Sequence, residues 1–246
     1  MRYALKLAYK GTDFHGWQSQ PNAVTVQETI EQALTTLLRK PTPIVGCGRT
    51  DTGVHASMYY AHFDADKIQD SQLLTYQLNA ILPKTIVIDS IIATDEDFHA
   101  RFDALTRTYK YYILLGKNPF TLETVWQISH GHYDVPAMNK AAQKLLTHTD
   151  FQSFSKSKTD VTNYNCTVTE AHWTQQDNTL IFTITANRFL RNMVRAVVGT
   201  LLEVGAGKIS VEDFETIIRK KDRSAAGLSV PAHGLFLHHI LYDKLD

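Results

Sequence analysis

Two successive β-α-β-β-α-β halves, together an α+β fold, are predicted by three features of this 246-residue chain. Apolar side chains follow period-two and period-3.6 patterns in that order twice. Each pattern is punctuated by a cap, a proline or a glycine. The junction near Asp103 leaves two stretches of ordinary domain size, 1–103 and 104–246.

The elements follow in order. Tyr3, Leu5, Leu7 and Tyr9 alternate with Ala4, Lys6 and Ala8, a strand. After a loop from Gly11 to Pro21, Thr25 and Glu28 have capping-box spacing, and Val26, Ile30, Leu34 and Leu37 recur at helical intervals until Pro41 and Pro43. Ile44–Cys47 reads as a short strand and Ser57–Asp64 as a longer one, with turn-rich sequence between them. Ser71 is placed to cap a helix running to Leu82, before Pro83, and Thr85–Ala93 is an isoleucine-rich strand. The second half repeats the order. Thr106–Leu115 is a strand, Pro136–Leu146 a helix with proline in its first turn, and Asn165–Thr174 and Thr179–Asn187 a hairpin around Asp177-Asn178. Phe189–Val204 is a helix ended by Gly205, Ser210–Lys220 another, and Leu235–Tyr242 the last strand. The repeated order is the split-βαβ, or ferredoxin-like, pattern. Two such antiparallel sheets side by side would flank a cleft, a normal place for a site.

Composition narrows the function classes. At 43% hydrophobic and 20% charged residues, the chain has material for a core. Charges interrupt every long apolar stretch, so no membrane-spanning helix is expected, and the alternating N-terminus does not read as a secretory signal. Cys47 and Cys166 are far apart and neither is in a CxxC pair, which fits a reducing cytoplasm. Net charge is zero, yet residues 1–103 carry 9 basic and 12 acidic side chains, and the remainder 16 and 13. A nucleic-acid site must therefore be a local patch.

Three segments have the residue types for chemistry. In Gly46-Cys47-Gly48-Arg49-Thr50-Asp51-Thr52-Gly53-Val54-His55-Ala56, a carboxylate two residues from an arginine lies on a loop between strands. Such a carboxylate suits nucleophilic or base work. The plainer alternative, which composition alone favours, is an Asp-x-Gly turn. Asp51-Thr52-Gly53 also spells the aspartic-protease triplet, but the sequence holds no second copy, and Arg49 opposes proton sharing. In Thr106–Tyr112, Arg107, Tyr109 and Tyr111 share one strand face, a surface suited to stacking bases and pairing phosphates. From Asn187 to Gly199, helical spacing would bring Arg188, Arg191 and Arg195 within about 60° of one another, a stripe for an anionic partner. The histidines show no metal pattern, His55 and His62 read as core or turn residues in preference to metal ligands, and Gly205-Ala206-Gly207-Lys208 follows a helix and so is no phosphate loop.

Taken together and in order, several strings resemble the tRNA pseudouridine synthase A family over nearly the whole chain. They are Gly11-Thr12-Asp13-Phe14-His15-Gly16-Trp17-Gln18, the segment Gly48–Ala56, Phe98-His99-Ala100-Arg101-Phe102, Tyr109-Lys110-Tyr111, Asp150–Phe154, Phe189–Gly199 and Pro231–Leu235. The resemblance implies an isomerase that converts uridine to pseudouridine at positions 38, 39 and 40 in the anticodon stem-loop of tRNA. It implies no cofactor, no metal, a cytoplasmic homodimer, and RNA held in the cleft between the two halves. Asp51 matches the essential aspartate, and Arg195 the basic residue that keeps it ionised and oriented. Tyr109 matches the tyrosine that stacks on the uracil. Arg49, His55, Arg107 and Arg191 join it on the substrate side, Arg49 as an aid to flipping. The carboxylate acts either by attacking the sugar or by removing a proton from it. Departures from the family pattern are Cys47 in place of a common alanine, the lack of an arginine around Asn163–Cys166, and Ser229-Val230 for Thr-Ala. The competing reading is a non-catalytic tRNA-binding or folding module, to which a carboxylate facing phosphates would be of no use.

Overall fold

Strand β1 (Arg2–Tyr9) has an antiparallel neighbour on each side. It pairs antiparallel on one side with β3 (His55–Asp64), Leu5 opposite Ala61, and on the other with β4 (Ile86–Thr94), Leu5 opposite Ile91. The short β2 (Val45–Gly46) adds antiparallel to β3. Helices α1 (Val26–Leu38) and α2 (Ser71–Ile81) bury Ile30, Leu34, Leu74 and Leu78, and Leu5, Leu7, Tyr59 and Phe63 are buried on the sheet. The computed structural model describes residues 1–129, 131–157 and 161–245.

The capping chemistry explains the helix limits. Thr25 accepts the Glu28 N–H (3.3 Å), and Arg39, in left-handed geometry, ends α1. The expectation that Ser71 caps α2 is corrected by one residue: Asp70 accepts the Leu73 N–H (2.9 Å), and Ser71 is already helical. Asp and Ser are both good caps, and only the backbone conformation of Asp70 decides between them. Asn79 then clamps α2 to β4, bonding both the N–H and the C=O of Ile88 (2.8 Å each).

Further along the chain, β8 (Thr179–Ala186) lies between β5 (Ala104–Leu115) and β7 (Val168–Gln176), antiparallel to both. A three-residue strand, β6 (Trp126–Ile128), runs parallel to β5 and has no counterpart in the sequence reading. Helices α3 (Val135–Lys144), α4 (Met193–Gly205) and α5 (Val211–Lys220) follow the expected order. Asn139 on α3 bonds the N–H and C=O of Trp173 on β7 (2.7 and 3.0 Å), as Asn79 on α2 does with Ile88 on β4. A reciprocal capping box between Ser210 and Asp213 starts α5.

Two differences from the sequence reading change the picture. The chain forms two compact units, Met1–Leu105 with the chain from Phe236 onward, and Thr106–Leu235. The last strand, β9 (Leu235–Tyr242), was expected in the second half, but from Phe236 it falls in the first unit, where it lies parallel to β3 at His55 and Ala56. Alternation shows that a strand exists but not which strand it will pair with. Secondly, α4 does not begin at Phe189. Asn192 sits at φ 67°, in the left-handed region, and the helix starts after it. Arg188 and Arg191 therefore precede the helix, and the expected arginine stripe does not form. Apart from Arg195 and Glu203, every residue of α4 is buried, so it is a core helix.

Candidate active site

In the first unit, the Asp51 loop is built by contact with the loop that follows β1. Gly11 and Gly16 let the two backbones touch. A Cβ at Gly11 would run into the Val54 carbonyl, one at Gly16 into the Thr50 carbonyl, and Gly16 also needs φ 87°. Trp17 N–H donates to Thr50 O (3.3 Å) and Gly53 N–H to Phe14 O (3.4 Å). Tyr9 and Thr50 hydroxyls share a buried bond of 2.8 Å. Val54 N–H donates to Asp51 O (3.1 Å), closing a turn in which Gly53 takes φ 77°. Thr50 and Val54 are buried on either side, while Asp51 is half-buried and Arg49 exposed. The carboxylate thus projects from a backbone fixed immediately before and after it.

His55 is fully buried. Its Nδ1 accepts the Gly11 N–H (2.9 Å), and its ring lies 4.6 Å from that of Phe236. An accepting Nδ1 puts the proton of the neutral ring on Nε2. The geometry makes His55 a post for the loop, which agrees with its reading as a core or turn residue and leaves its ring no exposed face for the substrate side to which the resemblance assigned it. Residues not singled out from the sequence support the same loop. Trp17 stacks on Tyr59 (centroids 4.0 Å, 27°), Tyr9 packs against both, and the Tyr59 hydroxyl donates to the Gly48 carbonyl. Burial, then the neighbouring Cys47 and Tyr9, push the Tyr59 phenol well up, so it stays a donor. The signal for these residues was the pair of glycines around Thr12–His15, whose cause, a second loop pressed against them at Thr50 and Val54, lies far along the chain.

In the second unit, Arg107, Tyr109 and Tyr111 do share a face of β5, but their environments differ. Arg107 is half-buried and donates to Asn187 O (2.9 Å). Tyr109 is half-buried with its ring edge-on to Phe189 (5.1 Å). Tyr111 is wholly buried and donates to Pro231 O (2.8 Å). Burial pushes its phenol far up, the charge of Arg195 pulling it partly back. Tyr111 is therefore a buried support for this face of β5, and Tyr109 is its more accessible aromatic ring.

Arg195 is set against the segment after α5. Its Nε donates to Val230 O (2.7 Å) and its carbonyl accepts the Val230 N–H (3.2 Å). The segment is bolted down by Arg223, which bonds Ala226 O, Gly227 O and the Ser229 hydroxyl (3.2, 3.1 and 3.0 Å), and by the Thr200 hydroxyl accepting the Gly227 N–H (3.0 Å). A Cβ at Gly199 would strike the Leu228 carbonyl, so only glycine lets the segment cross α4 here. Arg191 is exposed on the approach to α4, its carbonyl accepting the Lys156 N–H (3.0 Å). Arg49 and Asp51 thus lie on one loop of the first unit, which His55 adjoins as the first residue of β3, and Arg107, Tyr109 and Arg195 belong to the second.

Comparison with known proteins identifies the class: this chain belongs to a family of RNA-modifying isomerases. A family model for tRNA pseudouridine synthase matches residues 7–103 and 141–243, and the chain is a member of that family. It is 51% identical over 244 residues to tRNA pseudouridine synthase A of Parabacteroides distasonis, covering 99% of this chain and 96% of the relative. Identity to the protein of that name from Bacteroides fragilis is 50% over 245 residues (99% and 97% covered), and to that of Bacillus subtilis 39% over 248 (99% and 100%). The chain is therefore an enzyme, a pseudouridine synthase. Among its described residues no helix is long and apolar enough to cross a membrane.

Proposed function

We propose that this enzyme converts uridine to pseudouridine at positions 38, 39 and 40 of the tRNA anticodon stem-loop, with Asp51 as the essential carboxylate. The observation that carries the reading is the Asp51 loop, half-exposed at the carboxylate and held rigid by buried neighbours on both sides. The reaction breaks the N1–C1′ bond, turns the uracil, joins C5 to C1′ and releases the C5 proton. An ionised carboxylate serves as nucleophile at the sugar or as base, and a guanidinium, the role assigned to Arg195, favours that ionised form. Tyr109 stacks on the extruded base, and Arg49, Arg107 and Arg191 pair with phosphates or assist extrusion. Extrusion costs a few kcal/mol. His55 contributes by holding the loop.

The same reading takes the halves 1–103 and 104–246 as ferredoxin-like domains. In the first unit, β1 between antiparallel β3 and β4, with β2 antiparallel on β3, supports it. It further takes the enzyme to be a cytoplasmic homodimer needing no cofactor or metal, two copies joining local basic surfaces on a chain of zero net charge.

Pseudouridine mapping on an unmodified tRNA transcript with uridines at 38 to 40 tests the reading, with Asp51→Ala alongside. Product at those positions from wild type only is expected. Product from both proteins removes Asp51 from the chemistry. tRNA binding without product from either would favour a binding module.

A further inference from the structure

The string Phe98-His99-Ala100-Arg101-Phe102 has no part in the chemistry above, yet it forms one of the most tightly bonded turns in the first unit. His99 Nδ1 accepts the N–H groups of both Arg101 and Phe102 (3.2 and 3.3 Å). Asp103 Oδ2 accepts the His99 N–H (3.0 Å), and His99 O accepts the N–H groups of Phe102 and Asp103 (3.1 and 3.0 Å). Ala100 N–H donates to buried His62 Nδ1 (3.1 Å), and Ala100 O accepts from the Tyr242 hydroxyl. Lys244 pairs with Asp97 and Asp103 (3.1 and 3.5 Å), offsetting both carboxylates.

This framework holds a large apolar ring in water: Phe102 is 73% exposed. The ring ends a ladder that climbs out of the core. His62 meets His99 edge-on (4.8 Å), His99 lies 4.3 Å from Phe102, and the Arg101 guanidinium stands 5.5 Å from the Phe102 centroid. An exposed aromatic ring on a pre-ordered backbone, with a guanidinium over it at 5.5 Å that can slide aside or itself stack on a base, has the chemistry of a nucleobase platform. The base extends the stack, and the cation suits the flanking phosphate. Pre-ordering matters, because a ring already held in place loses little freedom on binding.

We propose, resting on the tRNA-modifying reading above, that the Arg101–Phe102 turn is a stacking site for an unpaired base of the tRNA, separate from the Asp51 loop and the Tyr109 face. It acts on binding and register, not on the bonds that are made and broken.

The test compares wild type, Phe102→Ala and Phe102→Trp in affinity for an unmodified tRNA transcript, in KM and kcat for pseudouridine formation, and in sedimentation mass. Loss of one base–aromatic stack corresponds to roughly 5- to 140-fold in affinity. Phe102→Ala is expected to raise Kd and KM by that factor and leave kcat at saturating tRNA unchanged. Its slope of log affinity against log salt should match wild type, since no charge is removed. Phe102→Trp should bind within twofold of wild type. Equal affinity for Phe102→Ala overturns the proposal. So does a Phe102→Trp as weak as Phe102→Ala, or a fall in mass for Phe102→Ala, which would make the ring a contact for a second copy. If wild type binds the transcript but makes no pseudouridine, the assigned reaction fails while the Kd comparison still decides the turn. Product from wild type with equal affinities overturns the turn alone.

Discussion

Trp17 lies flat on Tyr59, and through that stack the loop after β1 and the strand after Asp51 become one body, because the Tyr59 hydroxyl also donates to the Gly48 carbonyl. The carboxylate is held at second hand, by aromatic residues that never need to meet a substrate. Gly46 lies beneath the pair, where a Cβ would run into the Tyr59 hydroxyl and the Trp17 indole.

Trp17→Ala is expected to destabilise the fold by about 3–5 kcal/mol, the usual cost of removing a large buried ring. Tyr59→Phe keeps the stack and removes the hydroxyl's bonds to Gly48 and Cys47, so its stability should fall by only about 1–2 kcal/mol, while kcat drops as Gly48 and the loop loosen. Thermal melts with kcat for both variants check this. A Tyr59→Phe with full activity would uncouple the stack from the site.

Gly16→Ala faces both a left-handed backbone and the Thr50 carbonyl. The strain should displace Thr50 and Asp51 in an otherwise folded protein, and displacement by about 1 Å can cost on the order of 100-fold in rate. Single-turnover rates beside circular dichroism would separate loss of geometry from loss of fold.

Arg195→Lys should not restore what Arg195→Ala loses. Lysine keeps the charge but lacks the Nε that donates to Val230 O and fixes the guanidinium plane. A fall of at least about tenfold in kcat, with tRNA Kd little changed, is expected for Arg195→Lys. Steady-state kinetics and a binding isotherm on the same samples decide it.

Acid should weaken the first unit through His62. Burial, helped by the charges of Arg2 and His99, pushes its imidazole from 6.5 down to about 4, and its Nδ1 already accepts the Ala100 N–H. The folded state prefers the neutral ring, whereas the unfolded chain takes up a proton near 6.5. The contribution is therefore complete above about pH 6.5 and is lost as pH falls toward 4. Denaturant midpoints from pH 4 to 8 should rise with pH over that window, and His62→Gln should flatten the rise.

Much of the architecture was legible because its causes are local. Thr25 three residues before Glu28, the prolines at 41, 43 and 83, the Asp177-Asn178 turn and the period-two strands each act within a few residues, and the observed elements follow them. The α4 start was misplaced for a local reason of lesser weight. Asn192 tolerates a left-handed backbone, but nothing nearby compels it, and its side chain is engaged by Ser229, 37 residues on. The Asp51 segment stood out by its residue types, and the family resemblance turned a plain turn into a catalytic candidate.

The sequence by itself determined most of the elements, their order, the family and the residues with the chemistry for a site, since caps, periodicity and side-chain type are properties of short stretches of chain; the short β6 was outside its reach. Only the tertiary structure decided that His55 and Tyr111 are buried supports, that β9 from Phe236 belongs with the first unit, and that Arg188, Arg191 and Arg195 form no stripe. Those outcomes depend on which distant segments meet. The exposure of a side chain and the partner of a strand are set by contacts tens of residues away, and no local pattern encodes them.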